Sequence, residues 1–336
     1  MDANENILLI RFKSIGDILF TLPAVYAVRE NFPSAKITFL VSREHAPLLE
    51  GFREVDEVIT LDRARFRSGN PKAILSEAFF LFRRLRGGKF SLVVDFQGYG
   101  ETAWLAWLSG APQRWGSVYS TGRKWAYTRG LTRNKKIHPA EWNLFLLREC
   151  GLKIGAVKNQ FVLPADALAA AKKIFSEHKL DFAKPTLFIQ PFTSSPHKNW
   201  PLENFLKLAR HFHSRGMQIV FGGGPNDRTG LEPARSAGFV ITAGTPLLVT
   251  AGLMKLSTLI VGADTGFMHL AVAMGKRVVM LMYSNAPGST HPFQHADWTI
   301  TPPMGKTVSE IQTGAVIEAC AQAAVESTAA ADRPGR

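Results

Sequence analysis

Cysteine is nearly missing from this sequence. Only Cys150 and Cys320 occur in 336 residues, too few and too far apart for a disulfide framework or a metal-ligand spacing. No apolar run reaches the roughly 18 residues of a membrane span. The opening MDANENILLI carries acids where a secretion signal carries bases, and its apolar run is short, so a cytoplasmic protein is expected. Also missing are D-x-D, a Walker A loop, H-E-x-x-H, a G-x-S-x-G elbow and the spaced G-x-G-x-x-G fingerprint. Those absences argue against a visible metal clamp on a diphosphate, a P-loop nucleotidase, a zinc peptidase, an α/β-hydrolase and a dinucleotide dehydrogenase.

What is present is apolar content of 46% with 20% charged residues, the mix of a folded globular chain. The length suggests two domains. Net charge is +13, and residues 1–158 alone hold 24 Lys+Arg against 15 Asp+Glu, a surplus of 9. Bases concentrate in 63–89, including Arg63, Arg65 and Arg67, and in 123–136, which has no acid at all. Such patches attract phosphates, carboxylates or anionic membranes, or are simply a solvated basic face. No RNA-binding pattern with interleaved aromatics accompanies them, so nucleic acid is not expected as a partner.

Short β-branched runs alternate with helical periodicity. Strands are expected at Ile7–Phe12, Ile37–Val41, Glu57–Thr60 and Ser91–Phe96, then at Thr186–Gln190, Gln218–Phe221, Val240–Ile241, Leu259–Gly262 and Val278–Met282. Helices fit 17–31, 44–50, 71–86, 101–109, 139–150, 165–179, 201–214, 229–236, 246–255 and 266–274. This rhythm implies α/β architecture: two Rossmann-like, doubly wound parallel-sheet domains facing a cleft, at 1–165 and 166–325, with a frayed tail beyond. Ligands of such sheets bind beyond the carboxyl ends of the strands.

Four loops at those ends carry chemistry-bearing residues. RFKSIGDILFTLPA places Lys13, Ser14, Gly16 and Asp17 at a strand-to-helix junction. Asp17 is either a general base at the cleft or the cap of its own helix. QPFTSSPHKNWP holds Thr193, Ser194 and Lys198 ahead of a helix, a phosphate cradle or an ordinary turn. VFGGGPNDR offers Gly223 for close backbone approach and Asp227 for ribose hydroxyls, or only a tight turn. VGADTGFMHL puts Asp264, Thr265 and Gly266 at a helix N-terminus, where amide groups face an anion, with His269 one turn on.

Taken together, K-S-x-G-D-x-x-x-T-L-P-A, K-x-W-P and D-T-G-x-x-H, in this order, resemble the bacterial heptosyltransferases of glycosyltransferase family 9. The resemblance extends over residues 93–116 and the GGGPNDR loop, and spans about residues 7 to 320. It implies a GT-B fold with acceptor bound by the N-terminal domain and donor by the C-terminal one. It implies inverting, metal-independent transfer of heptose from ADP-heptose to the lipopolysaccharide inner core, with no cofactor. Asp17 then matches the catalytic base, Lys198 the lysine on donor phosphate and sugar, and Thr193 and Ser194 the diphosphate hydroxyls. Asp264 matches the acid reading sugar hydroxyls, Thr265 and Gly266 the phosphate-facing amides, and Asp227 the ribose contact. Thr245 matches a position at the adenine edge that family members often fill with a larger apolar residue. The acceptor of Kdo–lipid A type would meet Lys13, Ser14, Gly16, Arg63, Arg65 and Arg67. A monomer, peripheral on the cytoplasmic face of the inner membrane, is expected. The rival readings are a GT-B enzyme using another nucleotide sugar, and a non-catalytic basic binding protein of the same fold.

Overall fold

The computed structural model describes residues 5–331. The chain divides into two compact units, Met1–Gln160 and Phe161–Arg336. The break falls ahead of the expected 165/166 boundary because Phe161 already belongs to the second unit: its side chain is buried and its N–H donates to the Ala273 carbonyl at 2.8 Å.

The first unit contains β1 (Asn6–Ile10), β2 (Lys36–Ser42), β3 (Glu57–Leu61), β4 (Leu92–Asp95), β5 (Gln113–Val118) and β6 (Arg129–Thr132). They form one parallel sheet in the order β3-β2-β1-β4-β5-β6, in which Ile10 lies beside Leu40 and Asp95. The second unit contains β7 (Thr186–Gln190), β8 (Gln218–Phe221), β9 (Val240–Ile241), β10 (Leu259–Ala263), β11 (Val278–Leu281) and β12 (Thr299–Ile300). Its order, β12-β11-β10-β7-β8-β9, is the same winding, and Gly262 lies beside Gln190. In each sheet the first strand sits in the middle and the order reverses beside it, between β1 and β4 and between β7 and β10. Those are the two switch points at which this architecture leaves room for ligands.

The reason for the fold is visible in the residues. Strands such as NILLI and LIVGA are apolar throughout because helices cover both faces of a parallel sheet. The helix Leu202–His213 buries Phe205, Leu208, Ala209 and Phe212 on one stripe against β7 and β8. The expected single helix 17–31 is two, Ile15–Leu19 and Leu22–Asn31. Pro23 has no N–H to continue the ladder and starts the second helix instead. The segment 44–50 is a 3-10 helix, Arg43–Gly51, and Arg63–Arg67 form a short helix that periodicity does not reveal. The tail was expected to fray beyond 325; instead the helix Thr313–Ala331 runs through it, anchored by buried Val316, Cys320 and Ala323. The remainder of that tail, 332–336, lies outside the described residues, as does the opening MDAN. Among the described residues no helix is long and apolar enough to cross a membrane.

Candidate functional site

In the first unit, Arg11 follows β1 and organises the switch point. Its guanidinium donates to the Lys13 carbonyl (3.1 Å) and the Phe96 carbonyl (2.9 Å), and pairs with Asp17 Oδ2 at 2.8 Å. The loop after β4 is held in turn from below. Buried Asp95 accepts from Tyr127 Oη at 2.6 Å and from the N–H groups of Gln97 and Gly98. Burial pushes the Asp95 carboxyl up, against the lowering effect of those donors. Gly98 has φ +69° and lies directly against the Ser117 carbonyl, so no side chain fits there. Gln97 Oε1 then accepts from Phe12 N–H at 2.9 Å, which ties β4 to the start of the Lys13 loop.

Asp17 itself stands in the first turn of Ile15–Leu19. Its Oδ2 accepts from Ser14 N–H (3.2 Å) and Ser14 Oγ (3.4 Å) besides pairing with Arg11. The capping role is therefore real. It uses one oxygen only: Oδ1 accepts no hydrogen bond from the described residues, and the side chain is 37% exposed. Lys13 is exposed and Gly16 is buried within the same turn; the Lys13–Ser14 peptide is cis. Arg133, from the acid-free basic run, is close enough to Arg11 and Asp17 to feel their charges, and burial is the main cause that lowers its pKa. The other cationic candidates stand differently. Arg63 faces Glu101 at 3.8 Å, Arg65 faces Asp62 and Glu77 at 3.6 Å each, and Arg67 is exposed. Two of the three arginines thus have carboxylates of their own.

The second unit assembles its residues on one carboxylate. Asp264 follows β10. Its Oδ2 receives Lys198 Nζ at 2.8 Å and Thr290 Oγ1 at 3.2 Å, and its Oδ1 meets His269 Nε2 at 3.2 Å. Burial would raise this carboxyl, but the hydrogen bonds and charges of His269 and Lys198 outweigh it and bring the pKa down to about 2. Thr265 caps the helix Gly266–Ala273 without using its side chain. Thr265 Oγ1, and Gln190 Oε1 at the end of β7, are buried and lack a hydrogen-bond partner among the described residues. The unanswered Thr265 hydroxyl at this helix N-terminus marks a place shaped for a polar ligand, while Gln190 Oε1 lies against Gly222 after β8.

The remaining candidates line the same strand ends. Thr193 Oγ1 donates to the Ser195 carbonyl at 2.7 Å and so shapes its loop, while Ser194 is exposed. Lys198 ends the 3-10 turn Pro196–Lys198. Asp227 Oδ2 accepts from Gly224 N–H at 2.7 Å, and the Gly223 carbonyl accepts from Gly244 N–H at 2.9 Å, so that these residues brace the glycine loop. The Thr245 hydroxyl is shared with Thr250 Oγ1 at 2.6 Å and the Thr242 carbonyl at 3.0 Å. Sequence reading passed over Arg11, the Asp95–Gln97–Tyr127 support and Thr290. A cation directly after an apolar strand signalled the first. Nothing local signals Thr290, which the 283–293 segment carries across from beyond β11.

Known proteins resemble this chain in sequence and in fold. The model of glycosyltransferase family 9 (heptosyltransferase) matches residues 78–310. Lipopolysaccharide core heptosyltransferase OpsX of Haemophilus influenzae is 23% identical over 317 residues, covering 88% of this chain and 84% of that protein. Lipopolysaccharide heptosyltransferase 1 of Pseudomonas aeruginosa is 25% identical, covering 84% and 80%. Among solved structures, a family 9 glycosyl transferase from Veillonella parvula superimposes with a TM-score of 0.84 at 21% identity, covering 97% of this chain and 99% of that one. The ADP-heptose heptosyltransferase II of Escherichia coli gives 0.79 at 19%, covering 96% and 99%. The fold is accordingly GT-B, with two Rossmann-like units. A family match over more than half its length, on a fold shared almost end to end, establishes that this chain belongs to glycosyltransferase family 9, the heptosyltransferase family, and is a glycosyltransferase.

Proposed function

We propose that the chain transfers heptose from ADP-heptose to the inner core of lipopolysaccharide, with inversion at the anomeric carbon and without a metal ion. The observation that carries this reading is the second switch point. A lysine, a largely buried carboxylate and an unanswered threonine hydroxyl meet there at a helix N-terminus, in a member of the heptosyltransferase family. A structural relative, the Escherichia coli heptosyltransferase WaaC, is solved with ADP and with ADP-2-deoxy-2-fluoro heptose, which supports an ADP-sugar as donor.

In this reading the Phe161–Arg336 unit holds the donor. Lys198 Nζ has N–H groups to spare beyond the one given to Asp264, and with the amides of Thr265 and Gly266 it faces the diphosphate. Charge grows on the departing ADP as the glycosidic bond breaks. Donors already aimed at that charge lower the barrier by roughly 3–4 kcal/mol each in comparable sites. Asp264 stays ionised at any physiological pH and accepts from sugar hydroxyls. The Met1–Gln160 unit takes the acceptor. Asp17 Oδ1 removes the proton from the acceptor hydroxyl as its oxygen bonds to the anomeric carbon. The proton ends on Asp17 and the electron pair of the broken bond on ADP. Lys13, exposed in the same loop, and Arg133, close enough to Asp17 to feel its charge, are the cations left to hold acceptor carboxylates.

The test is mass-spectrometric detection of heptose transfer from ADP-heptose to a heptose-free Kdo–lipid A acceptor in the presence of a chelator, with the anomeric configuration of the product read by NMR. Product of inverted configuration is expected. Failure with ADP-heptose but success with another nucleotide sugar would move the donor assignment. Loss of product on chelation would remove metal independence.

A further inference from the structure

The Met1–Gln160 unit carries an aromatic surface that transfer chemistry does not use. Trp104 and Trp107 project from the helix Gly100–Leu108, and Trp125 from the 3-10 helix Thr121–Ala126. Their rings pack edge to face, with centroids 4.7 Å (104–125), 5.6 Å (104–107) and 6.0 Å (107–125) apart. Yet they remain 53%, 47% and 48% exposed. Large aromatic rings gathered in water and left open are costly to keep and mark a surface that meets something.

The neighbouring helix repeats the pattern. Pro71–Gly87 buries Glu77, Leu81 and Leu85 inward and turns Leu75, Phe79, Phe80 and Phe82 outward. Arginines stand over two of these rings, Arg83 over Phe79 and Arg86 over Phe82, each at 5.9 Å. The two helices pack on one another, and Arg86 reaches Gly110 just past the tryptophan helix. A cavity of about 720 Å³ beside the phenylalanines is lined by Phe79, Phe80, Phe90, Arg83 and the ion-paired cluster of Lys36 and Arg84 on Glu57, which leaves Arg83 as the lining cation without a carboxylate among the described residues. Across residues 71–126 there are 8 Lys+Arg and 3 acids, and of those acids Glu77 and Asp95 are buried. The third, Glu101, faces Arg63 and Gln97.

Exposed aromatics with a net cationic rim are what a bilayer interface accepts: rings settle at headgroup depth while Lys and Arg that are not already paired meet lipid phosphates. We propose that this face, helices Pro71–Gly87 and Gly100–Leu108 with the Thr121–Ala126 turn, docks the protein on a bilayer rich in anionic phospholipids. A bilayer needs only exposed rings with cationic side chains around them, and these elements present both.

Vesicle flotation of the full chain tests this without any sugar substrate, so its outcome is separate from that of the transfer assay. Vesicles of phosphatidylcholine alone are compared with vesicles containing phosphatidylglycerol, and with brominated acyl chains to quench tryptophan. Binding about tenfold or more tighter to the anionic vesicles, weakened by salt and accompanied by quenching, is expected. Trp104→Ala, Trp107→Ala and Trp125→Ala combined should abolish the quenching and most of the binding. Arg83→Glu with Arg123→Glu should abolish binding while leaving the rings in place, with circular dichroism and melting confirming the fold of both variants. Equal binding to neutral vesicles, unaltered binding by the well-folded variants, or a concentration-dependent dimer that the tryptophan variant alone dissolves would overturn the proposal.

Discussion

The two units wind their sheets identically and place a carboxylate at the same kind of switch point, yet treat it in opposite ways. Asp264 is 13% exposed, and both of its oxygens are engaged by Lys198, Thr290 and His269. Asp17 is 37% exposed, with Oδ2 pinned by Arg11 and Ser14 and Oδ1 open. A carboxylate locked by several donors cannot accept a proton at neutral pH, but it fixes the cations around it in advance, so little reorganisation remains when a charged ligand arrives. A carboxylate steadied on one side and open on the other keeps a lone pair for proton transfer. Under the proposed function, the comparison separates binding from chemistry within one fold repeated twice.

The sharpest way to break it is Asp17→Asn. The amide keeps the cap and the helix, and loses the base. Turnover should fall by about 10²–10⁴-fold, while ADP affinity measured by calorimetry stays as in the wild type. A variant that turns over normally would reduce Asp17 to a cap. Lys198→Ala should act on both quantities together. ADP binding is expected to weaken and kcat/KM to fall by roughly 10²–10³-fold, because the group proposed to meet the diphosphate also neutralises Asp264. Unchanged nucleotide affinity would take Lys198 out of the donor site.

Acid probes Asp264 next. Asp264 has a folded pKa of about 2 against the ordinary 3.8. Its stabilising effect is thus complete above about pH 4 and is lost as pH falls through 2. The difference corresponds to about 2 kcal/mol. Denaturant titrations of wild type and Asp264→Asn should diverge most above pH 4 and converge toward pH 2. Parallel curves across that range would mean that Lys198 and His269 do not hold the carboxylate as the distances indicate.

The same contrast explains what the sequence disclosed and what it hid. Alternating strands and helices, and the loops at strand ends, were legible because β-period and helix-period patterns are local. Asp17, Lys198, Asp264 and His269 stood out as polar residues where apolar runs stop. The pairings were not legible, since they cross the sheet: Arg11 to Phe96, Gln97 to Phe12, Thr290 to Asp264. Polar strands were missed as well. β5 (QRWGSV) and β6 (RGLT) have too little apolar content to register, and are strands because they pair in sequence onto β4. Arg63 and Arg65 stood out as candidate acceptor contacts on charge position alone, because a one-dimensional charge map cannot show Glu101, Asp62 and Glu77 folding back on them.

Thr290 offers the finest adjustment of the comparison. It contributes one 3.2 Å hydrogen bond to the oxygen that Lys198 also holds. Thr290→Val preserves shape and removes that donor. A net hydrogen bond of about 1 kcal/mol amounts to roughly fivefold, so ADP-sugar affinity should weaken by that amount with kcat nearly constant. A fall in kcat at constant affinity would instead place Thr290 against charge that appears only in the transition state. Asp264 would then take part in chemistry, and the division between a binding carboxylate and a catalytic one would no longer follow the division between the two units.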